Sequence, residues 1–141
     1  QRRACRLVEL QRFSQHLSVP LNLKPKYFPV GGDDSARLII AADLAQGSQA
    51  AMKIAGAILA ACWAQERNMA DDKVLAELLQ EQSLPASLME QSRSQAVQVR
   101  YEAYTQAAID AGVFGAPSYA VDGEIFWGQD RLDFVERALA R

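Results

Sequence analysis

Between Ser48 and Glu66 the chain offers almost no polar face. Ala50, Ala51, Ile54, Ala55, Ala57, Ile58, Leu59, Ala61, Cys62 and Trp63 fall at nearly every helical angle. A helix that is apolar all round is stable only where neighbours bury it on most sides. The segment therefore predicts the central helix of a bundle, with Gly56, Ala57 and Ala60 letting those neighbours approach closely. It is no membrane span, because the uncharged run from Ile54 to Ala64 is far shorter than the roughly 20 residues a bilayer needs.

Helical periodicity continues on both sides of this segment. Leu7, Leu10, Phe13 and Leu17 recur three or four apart among Arg2, Arg3, Arg6, Glu9 and Arg12, predicting an amphipathic helix over 2–17. Pro20, Pro25 and Pro29 then break regular structure. Asp33, Asp34 or Ser35 can cap the next helix, whose stripe runs through Leu38, Ile39, Ala42 and Ala45 to a stop at Gly47. Further helices carry Val74, Leu75, Leu78 and Leu79 after an Asp71-Asp72 start, and Leu88 and Met89 after Pro85. A longer one carries Val97, Tyr101, Tyr104, Ala108 and Ala111 up to Gly112.

Past Gly112 the pattern changes. Two short runs rich in Tyr, Val, Ile, Phe and Trp flank Asp122-Gly123, the dipeptide that favours a two-residue type I′ hairpin turn. A last helix with Leu132, Val135 and Leu139 on one face follows Asp130-Arg131. About eight-tenths helix and a single hairpin is an unusual inventory, since a two-stranded hairpin is marginally stable by itself and needs partners. The 141 residues, 50 % apolar and 23 % charged, suffice for one compact domain and argue against disorder. A net charge of −2 argues against a nucleic-acid surface.

Few residues offer chemistry. His16 is the only histidine and reads as a surface helical residue; no metal site suggests itself. Cys5 and Cys62, 57 positions apart and without a CxxC, exclude a disulfide scaffold or zinc ribbon. They read as buried small hydrophobes in a reducing, cytoplasmic setting. Two segments remain. In Gly112–Tyr119, Pro117 is either an ordinary trans proline at a strand start or a cis proline presenting the Ala116 backbone. Gly115 and Ala116 leave that backbone uncovered, so a peptide-like ligand can pair with it as an extra strand. In Trp127–Arg131, a strand end meets a helix start, where free N–H groups suit a carboxylate. Asp130 either holds an ammonium group there or simply caps the last helix.

These residues carry a resemblance. GVFGAPSYAVDGEIFWGQDRLDFVERAL resembles the C-terminal signature of the 2-hydroxychromene-2-carboxylate isomerases, relatives of kappa-class glutathione transferases in the DsbA-like thioredoxin superfamily. Looser agreement extends upstream, in R-x-x-x-L-x-R at Arg6–Arg12, V-P-L-N-L-x-P-x-x-F-P at Val19–Pro29 and W-A-x-x-R-x-x-A-D at Trp63–Asp71. Position 5, where the family pattern has a nearby aromatic, is Cys5.

The resemblance implies a mostly α chain. A helical insertion domain over 1–95 would precede the C-terminal hairpin and helix of a thioredoxin-like fold over 96–141, with the N-terminal βαβ unit absent from this chain. It further implies glutathione as cofactor, with Pro117 cis, Ala116 binding through its backbone, and Gln129 and Asp130 receiving the γ-glutamyl end. The thiol-activating serine of the family is expected upstream of Gln1, and none of the serines present has its context. Because the chain opens without Met, it is expected to begin partway into a longer gene product and to be inactive by itself. The activity implied is a glutathione-dependent isomerisation of a small substrate from aromatic catabolism, by a cytoplasmic homodimer with no nucleic-acid or membrane partner. A kappa-like transferase and a DsbA-like disulfide oxidoreductase stay open as alternatives, as does a binding module without activity.

Overall fold

The computed structural model describes residues 2–141, with side chains from Cys5 onward; Gln1 and the side chains of Arg2 and Arg3, expected on the polar face of the first helix, lie outside the described residues. Seven helices and one hairpin follow one another as α1 (Arg2–Leu17), α2 (Asp33–Gln46), α3 (Ser48–Trp63), α4 (Asp72–Glu81), α5 (Leu88–Gln91), α6 (Gln95–Asp110), β1 (Ser118–Val121), β2 (Glu124–Trp127) and α7 (Leu132–Leu139). Helices make up 61 % of the chain, less than the eight-tenths expected, because besides the proline-broken loop 18–32 the connections 64–71, 82–87 and 111–117 also lie outside helix. The chain divides into two compact units, Gln1–Gln98 and Val99–Arg141.

In the first unit α2 packs along α3, with α5 against α2 and α4 against α3. Leu38, Ile54, Leu75, Leu78, Leu79 and Leu88 are fully buried between them. Each such side chain contributes about 1.5–3 kcal/mol by leaving water. The stripe of α2 is rotated from the one expected. Ile40 and Ala41 are buried beside Leu38 and Ala42, whereas Ile39 is half-buried and Ala45 exposed.

α3 is not buried on most sides. Its inner face is Ala50, Ala51, Ile54, Ile58, Ala61 and Cys62, while Met52 is 73 % and Leu59 57 % exposed. α2 and α4 cover one side only, so an all-apolar sequence becomes a helix with one wet apolar face. Gly56 is exposed with nothing near a Cβ position, so it is Ala41, Ala42, Ala50, Ala51 and Ala61 that sit in the buried faces of α2 and α3.

Capping also departs from expectation at α2. Gly32 occupies the cap position and no side chain caps the helix; Asp33 and Asp34 lie in the first turn, where they complement the helix dipole. Ser35 is buried, and its hydroxyl donates to the Met69 carbonyl at 2.6 Å. Gly47, at φ 85°, ends α2 as expected. Asp71 caps α4 as expected, accepting from the Lys73 N–H at 2.9 Å.

The upstream motifs prove to be joints. The Asn22 N–H donates to the Trp63 carbonyl at 2.6 Å and its amide to Glu66 at 2.8 Å, while the Lys26 N–H donates to the other Glu66 oxygen at 2.6 Å. The loop 18–32 thus clamps the end of α3, with Phe28 against Trp63 at 4.5 Å between ring centres. Arg67 ties the exit of α3 to α4 through Glu77 and Glu81, both at 3.0 Å, and these acceptors, Glu81 first, raise the guanidinium pKa.

Candidate ligand site at the open end of the hairpin

The second unit is built around the hairpin that the sequence predicts. Asp122 and Gly123, at φ 49° and 81°, form the turn, the pair of positive angles a type I′ turn requires. The antiparallel register pairs Val121 with Glu124, Ala120 with Ile125, Tyr119 with Phe126 and Ser118 with Trp127. α7 packs on both strands through Val135 and Ala138, its only buried residues. Leu132 and Leu139, expected on that face, are exposed, because two narrow strands cover only a strip of the helix.

At the end away from the turn, pairing continues one step past the strands. The Gly128 N–H donates to the Pro117 carbonyl at 3.0 Å. The Ala116–Pro117 bond is cis. Ahead of it, Trp127 lies over Gly115 and meets Phe114 edge-on, with ring centres 5.1 Å apart. A Cβ on Gly115 would stand 2.6 Å from the Trp127 Nε1, so this position must be glycine for the indole to sit there. The Ser118 hydroxyl, a candidate for nothing catalytic in the sequence, donates to the Gly115 carbonyl. This indole-on-glycine stacking escaped sequence reasoning, although the aromatics at 114 and 127 flanking a glycine were its visible signal.

All four residues singled out from the sequence, Ala116, Pro117, Gln129 and Asp130, are exposed at this end, the first two joined to the last two by the Pro117–Gly128 bond. Among the described residues, neither the N–H nor the C=O of Ala116 has a backbone partner, and the N–H groups of Gln129 and Asp130 have no acceptor. Gln129–Arg131 form a 3-10 turn leading into α7, and no side chain caps either it or α7. Asp130 is therefore not the helix cap. Its carboxylate lies 2.5 Å from where a Gly128 Cβ would be and pairs with the Arg131 guanidinium at 2.7 Å, both side chains half-exposed. The result is a rim of unpaired backbone donors beside one carboxylate and one cation, a set that fits the carboxylate and ammonium of an amino-acid-like end group.

The other candidates lie elsewhere. Cys62 is buried as expected, its thiol 3.9 Å from the Tyr27 carbonyl; burial, and secondarily the charge of Glu66, push its pKa up. Cys5 is exposed, against expectation, because it faces outward from α1. His16 is exposed in the last turn of α1. Among the described residues no group of three His, Cys, Asp or Glu side chains is placed to hold a metal ion, and no helix is long and apolar enough to cross a membrane.

The chain belongs to the DSBA-like thioredoxin domain family, whose model matches residues 2–140. Within that class it is similar to a 2-hydroxychromene-2-carboxylate isomerase of Sphingobium xenophagum, 34 % identical over 134 residues, which cover 94 % of this chain and 66 % of the relative. A second protein of that name, from Pseudomonas putida, is 29 % identical over 145 residues, covering 95 % and 64 %. A solved structure of a 2-hydroxychromene-2-carboxylate isomerase superposes with a TM-score of 0.74 at 28 % identity, over 95 % of this chain and 64 % of that one. The chain thus spans about two thirds of the length of the relatives it matches.

Proposed function

We propose that the protein is a glutathione-dependent isomerase acting on small carboxylates of aromatic catabolism, of the kind named in its relatives. The observation that carries this reading is the rim at the hairpin end, where, among the described residues, the Ala116 backbone and the N–H groups of Gln129 and Asp130 have no backbone partner and stand beside a half-exposed carboxylate. A tripeptide thiol suits it on two counts. Its backbone can pair with Ala116 as an added strand. Its γ-glutamyl end carries a carboxylate for the N–H groups of Gln129 and Asp130 and an ammonium for the Asp130 side chain.

Bound glutathione supplies a thiol nucleophile that an isomerisation returns unchanged. The residues of this chain do the holding. Ala116 fixes the strand direction of the ligand and Asp130 fixes its charged end. The free thiols Cys5 and Cys62 suit a cytoplasmic setting, and a homodimer goes with the same reading.

The test is retention on glutathione-agarose together with calorimetric titration of glutathione into wild type and Asp130→Ala. Losing one charge-assisted contact is expected to weaken binding about tenfold or more. Unchanged affinity in the alanine variant would remove the γ-glutamyl assignment.

A further inference from the structure

We propose that residues 19–30 form a strap that the Glu66 carboxylate holds shut. The strap opens as one body while the helices of the first unit stay folded, and it gates the hollow beneath. The first observation is where Glu66 stands. It follows the end of α3 at φ 55°, a left-handed conformation that just past a helix is usually left to glycine. Across it the Arg67 N–H bonds back to the Ala61 carbonyl at 2.8 Å. The fold by itself would take glycine there, because a Cβ is strained in that conformation. What Glu66 adds is its side chain. One oxygen accepts from the Asn22 amide at 2.8 Å and the other from the Lys26 N–H at 2.6 Å. A single carboxylate thus fixes two points of the strap.

The other fastenings land on the same short stretch of chain. Asn22 also bonds to the Trp63 and Ala64 carbonyls, the Cys62 thiol lies on the Tyr27 carbonyl, and Phe28 meets Trp63. Of residues 19–30 only Pro25 is buried. A segment fastened at one place and holding so little of the core can release whole. Glu66 is exposed, so water replaces its two bonds without stranding a buried charge. Both ends of the strap can take the movement. Ser18 already stands at φ 54°, and at the far end Gly31 has open space around it. Beneath lies a hollow of about 420 Å³, walled on one side by Leu23, Lys24, Pro25 and Phe28 and on the other by α1 and Trp63. Val19, Pro20 and Leu21 wall an adjoining hollow of about 520 Å³. Lifting the strap takes one wall from both. The device belongs to the first unit alone, so it stands or falls separately from the glutathione rim.

The experiment is native-state hydrogen exchange of the full ¹⁵N-labelled chain at low urea, in wild type, Glu66→Gln and Glu66→Gly. In wild type the Asn22 and Lys26 amides are expected to share one opening. Their protection and its urea dependence should both be smaller than those of Ile58 in α3 and Leu78 in α4. Asn22 is the decisive probe, because its N–H bonds to the Trp63 carbonyl and not to Glu66, so it speeds up only if the strap moves. Glu66→Gln keeps one acceptor oxygen of two, and Asn22 is expected to exchange about tenfold faster in it. Glu66→Gly removes the latch and the strained Cβ together. Asn22 should again accelerate about tenfold or more, while Ile58 and Leu78 keep or gain protection. Should one variant lose the native amide spectrum, the other carries the test. Separate openings for Asn22 and Lys26, strap protection equal to that of Ile58 and Leu78, or unchanged Asn22 exchange in a folded variant would each overturn the proposal. So would a Glu66→Gly change that weakens helices and strap alike.

Discussion

Gly115 and Gly128 stand on either side of Pro117 in space, and each is glycine for its own physical reason. Gly115 gives room to the Trp127 indole; Gly128 adopts φ 111°, which side chains rarely allow, and lies under the Asp130 carboxylate. Gly115→Ala is expected to push the indole off its seat and cost about 1–3 kcal/mol, read from the urea midpoint and from Trp fluorescence. Asp130→Ala behaves differently. Its ion pair with Arg131 is half-exposed, so the change in stability is expected to stay under about 1 kcal/mol while glutathione binding falls. The two variants therefore separate the architecture of the rim from its ligand contacts. Cys62 provides a pH signature. Its folded pKa is raised, chiefly by burial, so the unfolded chain gives up this proton first as pH rises. The stabilisation is complete below the ordinary thiol pKa and is lost as pH climbs through the raised one. Unfolding midpoints of wild type are expected to fall more steeply over that alkaline window than those of Cys62→Ala. At neutral pH, iodoacetamide is expected to label Cys5 alone until the chain is unfolded.

At the scale of elements, caps and turns govern what single substitutions do. Asp71→Ala removes the side-chain cap of α4 and is expected to cost about 1 kcal/mol in urea unfolding. The element plan was legible because its signals are local: prolines in 18–32, Asp71, Gly47, and the Asp122-Gly123 turn each act within a few residues. What failed was the direction of faces. Leu59, Met52, Leu132 and Leu139 are as apolar as their buried neighbours, and only the number and width of the packing elements decides which of them stay wet. The site split the same way. Pro117 and Trp127–Asp130 stood out through turn and strand-end chemistry, whereas the seat of Trp127 on Gly115 depends on register across the hairpin, which no short window of sequence contains.

At the scale of the whole molecule, the two units differ in what holds them. The first buries leucines and isoleucines of four helices, α2 to α5; the second buries only Val135 and Ala138 against its hairpin. Local opening follows buried contacts, so amides of α3 and α4 are expected to exchange more slowly than those of β1 and β2, by about tenfold or more. A ligand that adds a strand at Ala116 and a charged end at Asp130 would supply contacts where the protein has fewest. That makes the glutathione rim the central claim, and a ¹⁵N NMR titration of the chain with reduced glutathione tests it most directly. The predicted result is saturable shifts centred on Ala116, Ser118, Gln129, Asp130 and Arg131, saturating at about tenfold higher glutathione or more in an Asp130→Ala variant whose spectrum is otherwise native. Shifts absent from these residues, or persisting unchanged in the folded alanine variant, would contradict it.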